Sequence, residues 1–156
     1  LETQHWRRDV GLALALGVAT IVPFALAHHW WQTELFHRSF RLALADDLPV
    51  MVLTQLIAVA LPEELFFRGY LQARMELLWP AGRTLWGAPV GRALVVSSAV
   101  FALAHFVGEY APVRLGPFFP ALVFGVLRAR TGSIVAPVVY HAFCNVLSAM
   151  VWACYR

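Results

Sequence analysis

Apolar positions in this chain fall in long unbroken runs, and the runs are as long as membrane spans. Val10 to Ala27 holds no ionisable residue. At ~1.5 Å per helical residue it nearly crosses a hydrocarbon core of about 30 Å. Leu48 to Leu61 is apolar, and a helical pattern continues through Pro62-Glu63-Glu64 to about Trp79. That predicts one long helix kinked at Pro62. Pro80 to Gly91, with two prolines and three glycines, reads as a connecting loop. Arg92 to Val107, Leu115 to Leu127, and Ser133 to about Ala153 are the third, fourth and fifth spans, with Arg128 to Gly132 as a tight connection.

Gln32 to Ala45 breaks the pattern. It mixes Glu34, His37, Arg38 and Arg41 with Leu35, Phe36, Phe40 and Leu42. The mixture predicts a helix lying in the headgroup region, or an ordinary amphipathic connecting helix. Asp46 and Asp47 read as the N-cap of the second span, with Pro49 in its first turn. The chain starts at Leu1, so its N-terminus is expected to be trimmed. The first run has no small-residue cleavage site after it, so it is read as a span and not as a signal peptide. The expected fold class is all-α: a polytopic membrane helix bundle of about five transmembrane helices plus an interfacial helix. No internal repeat divides residues 1–156, which read as one domain.

Composition supports that picture. Apolar residues make up 60% of the chain and charged residues only 13%. A soluble domain has about 45–50% and about 25%. The net charge of +3 comes from twelve arginines, with no lysine. They are spread along the chain beside apolar runs and form no basic stripe with interleaved aromatics. That excludes nucleic acid as the expected partner and suits anchors at a membrane surface. With the N-terminus inside, seven arginines (Arg7, Arg8, Arg74, Arg83, Arg92, Arg128, Arg130) fall on the cytoplasmic side. Four (Arg38, Arg41, Arg114, Arg156) fall outside. Cys144 and Cys154 lie ~15 Å apart along one helix, too far for a disulfide.

Ionisable groups within a span cost roughly 2.5–3.5 kcal/mol each on insertion scales, so they are functional candidates with partners to be found. Glu64 shares a helix face with Arg68, Gln72 and Glu76 at successive i, i+4 steps. Glu63 begins a different row, Phe67-Leu71-Met75, and has no ion partner on its own helix. An unpaired carboxylate suits a general base; both glutamates could instead be structural. His105 stands alone on an apolar helix, where a hydrogen-bonded core histidine is the commoner case. His141 and Asn145 are again i, i+4, and can either donate to one developing oxyanion or hold helices together. In regular antiparallel helices Glu63 and His105 would both lie roughly 22 Å from the Trp79–Pro89 loop, and His141 roughly 13 Å from the same face. Helix tilt could absorb that mismatch. Cys144, three residues after His141, allows a thiol–imidazole pair but fits better as a small apolar residue.

Glu63-Glu64-x-x-x-Arg68, Phe101-x-x-x-His105 and His141-x-x-x-Asn145, in that order, resemble the three motifs of the CPBP family. This group comprises the CAAX prenyl proteases and bacteriocin-processing enzymes, also called the ABI family of glutamic intramembrane proteases. The run Thr131-Gly132-Ser133-Ile134-Val135-Ala136-Pro137 fits as well, and the resemblance spans about residues 48–150. It implies a protease with no metal or other cofactor. Glu63 would activate water, and His105 would hold and polarise it. His141 and Asn145 would stabilise the oxyanion. Glu64 and Arg68 would fix the helix and orient Glu63. The resemblance further implies a peptide or protein substrate entering from the lipid bilayer and a place in a prokaryotic inner membrane. The compact chain looks most like members thought to cleave C-terminal sorting tails.

Two other readings compete. His105, His141 and a glutamate could form a zinc hydrolase site with water as fourth ligand. The protein could also be a non-catalytic self-immunity protein that sequesters peptides. A transporter would be expected to show repeat symmetry, which is lacking here.

Overall fold

Apolar side chains on the long helices point outward, as contact with lipid requires: Leu14, Val18, Val22 and Leu26 on the first helix are all exposed. The computed structural model describes residues 5–43 and 47–156. Five helices dominate. α1 is Trp6–Trp30, prolonged by a wide π-type turn over Trp31–Leu35. α2 is Leu48–Leu78. α3 is Arg92–Gly108, α4 is Phe118–Thr131 and α5 is Val135–Ala153. Among the described residues α1 with its π turn, α2 and α5 are long and apolar enough to cross a membrane. α3 and α4 have 17 and 14 residues, or ~25 and ~21 Å. The bundle is all-α, as expected, apart from one small hairpin.

That hairpin lies in the predicted loop. β1 (Arg83–Leu85) pairs antiparallel with β2 (Ala88–Val90), joined by Trp86 and Gly87 at φ 49° and 78°. Two positive φ values in a row make the primed turn that matches strand twist.

Several expectations are corrected. α2 runs on through Pro62 as one helix, as expected, but its hydrogen bonding is not regular. The helix widens to π-type bonding over Thr54–Ala60 and again over Leu65–Gln72, and Leu61 N–H reaches Leu56 O. Proline has no N–H to return to the preceding turn, and a widened turn accommodates its ring next to the carbonyl it would otherwise meet. The interfacial helix expected over Gln32–Ala45 does not form across its described residues, Gln32–Ala43. Gln32–Leu35 continue α1, His37 takes φ 53°, and Phe36–Ala43 are not helical. Their backbone bonds go to the C-terminus: Ser39 N–H to Arg156 O, Arg156 N–H to Ser39 O, and Arg41 N–H to Cys154 O. Leu44, Ala45 and Asp46 lie outside the described residues; Asp47 occupies the N-cap position of α2 without a side-chain capping bond. Arg128–Thr131 are the last turn of α4, not a connection. Gly132, left-handed at φ 68°, closes that helix by donating to Arg128 O at 2.9 Å.

Between α2 and α4 the packing has no slack. A Cβ on Gly125 would stand 2.8 Å from Gln72 Oε1 and 3.1 Å from Leu94 Cγ. Gly125→Ala is therefore expected to destabilise by about 1–3 kcal/mol, read as a lower thermal midpoint in detergent.

Candidate active site

The i, i+4 row on α2 survives the wide turn. Arg68 Nε lies 3.2 Å from Glu64 Oε2, an ion pair by distance whose angle falls short of a hydrogen bond. Both side chains are fully buried. Arg68 Nη2 donates to Ala121 O at 3.0 Å, and the guanidinium lies 4.6 Å from the Phe101 ring and 5.3 Å from Phe124. A buried cation in apolar surroundings needs such partners. Further along, Gln72 Nε2 donates to Glu76 and to Gly125 O, and Glu76 pairs with Arg128 of α4.

Glu64 turns its other oxygen to α5. His141 Nδ1–H donates to Glu64 Oε1 at 2.9 Å; an ionised carboxylate can only accept, which fixes the direction. The ring stacks on Phe124 at 4.7 Å and 18° and meets Phe101 edge-on. Position, tilt and tautomer of this imidazole are thus determined by its surroundings. Nε2 is the free ring nitrogen, and it lies 3.9 Å from Glu63 Oε2. Glu63 Oε2 is buried without a hydrogen-bond partner among the described residues. Glu64 thus contacts both Arg68 and His141, and the expected orienting of Glu63 would run through His141.

Asn145 lies one turn beyond His141, and its Nδ2 donates to Gln55 Oε1 of α2 at 2.9 Å. Gln55 escaped the sequence reading. It carries no charge, and the residue it touches is 90 positions away.

His105 lies in the wall of the same cavity as His141 and Asn145. Its Nδ1–H donates to Phe101 O at 3.0 Å, leaving Nε2 free. Phe101 bridges the two imidazoles, 4.5 Å from His105 and 5.7 Å from His141, ring centre to ring centre. Among the described residues no hydrogen bond or ion pair joins His105 to either glutamate, and no three His, Cys, Asp or Glu side chains gather as a ligand set for one metal ion. Cys144 is free and half-buried beside Tyr140, whose hydroxyl shares a hydrogen bond with Thr20 of α1 at 2.8 Å.

A cavity of about 1020 Å³ brings these groups together. His105, His141, Asn145 and Gln55 lie in its wall with Phe24, Val59, Leu147 and Trp152. Glu63 is not part of that wall, and His141 is its link to the cavity. The arrangement is a large, mostly apolar chamber with amide and imidazole groups at one place and a carboxylate behind them, the general form of a site for an apolar substrate with one polar bond to attack.

Residues 45–147, about two thirds of the chain, match the model of a family described as type II CAAX prenyl endopeptidase Rce1-like. No curated protein and no solved structure matches the chain. The family agrees with the CPBP resemblance carried by the three motifs, and with apolar helices it makes this an integral membrane protein of the CAAX-endopeptidase type acting on peptides. The chain belongs to the Rce1-like family of type II CAAX prenyl endopeptidases.

Proposed function

We propose that this protein is a glutamate-dependent intramembrane endopeptidase in which Glu63 and His141 activate one water molecule. The observation that carries the reading is the cluster Glu63–His141–Glu64, in which one carboxylate holds the imidazole and the other faces its free nitrogen at 3.9 Å. A water oxygen about 2.8 Å from both Glu63 Oε2 and His141 Nε2 would see them at roughly 90°, a comfortable angle for two hydrogen bonds.

Glu63 takes a proton from this water as its oxygen bonds to the peptide carbonyl carbon, and the carbonyl oxygen becomes an oxyanion. Asn145 donates one amide hydrogen to Gln55 and has a second to give to that oxyanion. When His141 carries both ring protons, Nδ1–H stays on Glu64 and Nε2–H can donate as well. Collapse breaks the C–N bond, and the proton held by Glu63 passes to the leaving amine. His105, with Nε2 free at the cavity wall, orients the water or the substrate carbonyl. Glu64 and Arg68 position His141 instead of touching the substrate. The substrate is a membrane-anchored peptide cut near its C-terminus, and the home of the enzyme is a prokaryotic inner membrane.

Gln55 is expected to be a positioning residue in this scheme. Gln55→Leu lowers kcat by about tenfold to a hundredfold with KM and thermal midpoint little changed, because it frees the Asn145 amide to rotate away. Unchanged kcat would remove Gln55 from the mechanism.

The reading is tested by co-expression with C-terminally tailed membrane substrates and mass analysis of the products. Cleavage by the wild type with a chelator present, and none by Glu63→Gln, is the expected result. Loss of activity on chelation, restored by zinc, would favour the metal-hydrolase reading instead.

A further inference from the structure

A second, open-sided cavity of about 490 Å³ lies where the ends of α2 and α4 meet. It shares no residue with the cavity that holds His105, His141 and Asn145. Gly69, Ala73 and Leu77 recur every four residues along this part of α2. The first two carry little or no side chain, so the helix surface is hollow there and another chain can come close to the backbone. Tyr70 and Arg74 form the neighbouring row. The row continues back to Phe66, whose ring stacks on Tyr70 at 6.1 Å and 29°. The Arg74 guanidinium lies 5.9 Å from the Tyr70 ring centre. Phe66, Tyr70 and Leu77 are all exposed.

Three charged side chains line the hollow: Arg74, Glu76 and Arg128. Glu76 is satisfied, since its two oxygens accept from Gln72 Nε2 at 3.0 Å and from Arg128 Nη1. Arg128 keeps unused donors, and its Nε has no acceptor among the described residues. Arg74 is exposed and forms no ion pair among the described residues. Two cations against one carboxylate leave the hollow net positive. Its depth is that of a headgroup. Arg74 lies four residues, or ~6 Å, before α2 ends at Leu78. Trp79 and Trp86 follow, both exposed, as aromatic residues do at a membrane–water boundary. The apolar ridge of Tyr70 and Phe66 runs from Arg74 toward the hydrocarbon.

We propose that this hollow binds one anionic phospholipid, with its phosphate between Arg74 and Arg128 and an acyl chain along Gly69, Ala73 and the Tyr70–Phe66 ridge. Phosphate oxygens suit the planar donor fork of arginine. A zwitterionic lipid brings a cation of its own to the same place and gains less from a net positive site. A second copy of this chain fits poorly, because a two-fold contact sets a patch against itself and would bring Arg74 and Arg128 to face the same cations.

Native mass spectrometry of the full chain, titrated in detergent with dioleoyl phosphatidylglycerol or dioleoyl phosphatidylcholine, counts retained lipid. Wild type is expected to prefer phosphatidylglycerol about fivefold, the worth of one net cation near a membrane surface. Arg74→Gln is expected to lose that preference and Arg74→Lys to keep most of it. Arg83→Gln, on the exposed hairpin outside the hollow, is expected to leave it unchanged. Ala73→Leu fills the groove with every charge in place, and is expected to lose phosphatidylglycerol at an unchanged thermal midpoint. An undiminished preference in Arg74→Gln overturns the proposal. So does an equal loss in Arg83→Gln, which would mean diffuse attraction to the whole surface. Displacement of phosphatidylglycerol by an equal concentration of glycerol phosphate would assign the hollow to a free phosphate and overturn the lipid. Ala73→Leu that retains lipid but turns a dimer into a monomer would assign the groove to a second copy. Retained lipid is counted without turnover, so an error in the proteolytic chemistry cannot change the result.

Discussion

Glu63→Gln lowers kcat on a cleavable membrane peptide by about 10²–10⁴-fold, with KM and fold retained. The substitution keeps the size and planarity of the side chain and removes only its ability to take a proton. Little stability is at stake. The Glu63 side chain is 30% exposed, and its nearest ionisable partner is His141 Nε2 at 3.9 Å. A fall in kcat with unchanged KM would mark an interaction made only in the transition state. Turnover on a quenched peptide, together with a thermal scan in detergent, measures both halves of the expectation. Wild-type turnover in Glu63→Gln would end the glutamate reading, whatever became of the family assignment.

Glu64→Leu and Arg68→Leu each destabilise the bundle by about 3–5 kcal/mol, because each leaves a fully buried charge without its partner. The double variant is expected to cost far less than the sum, since an apolar pair of similar volume suits the same space. It should fold and yet cleave poorly, because His141 loses the carboxylate that accepts its Nδ1–H. Denaturation midpoints of the four proteins, set beside their turnover, separate holding the fold from holding the imidazole. Single variants within about 0.5 kcal/mol of wild type would show that this pair is not what the bundle depends on.

Much of the site was legible because its strongest signals are local. Glu64 and Arg68 are four residues apart on one helix, and a sequence shows that directly. Charged and imidazole groups inside apolar runs stand out for the same reason. What escaped are contacts between elements. Glu64 with His141 spans 77 positions and Gln55 with Asn145 spans 90. Nothing in the spacing of one helix says which face of another it meets. The depth argument put Glu63 and His105 level and His141 off by more than a turn, yet His141 Nε2 is the group that lies 3.9 Å from Glu63 Oε2. It assumed regular helices, and α2 carries two wide turns that alter rise and rotation. The interfacial helix failed for a similar reason. The composition of Gln32–Ala45 suits such a helix, but Ser39 and Arg41 spend their backbone bonds on residues 154 and 156.

The sequence alone determined that the chain lives in a membrane, because 60% apolar residues in span-length runs have no other stable home. It also singled out the polar groups that have to find partners there, and separated Glu64, paired on its own helix, from Glu63, which is not. Only the tertiary structure decided what those partners are. Helix packing turned Glu64 toward His141, left Glu63 opposite the free nitrogen of the same ring, and set that ring in the wall of a cavity with His105, Asn145 and Gln55. Hydrophobicity is a property of each residue, whereas direction and depth in a bundle are properties of pairs of helices, and those exist only once the chain has folded.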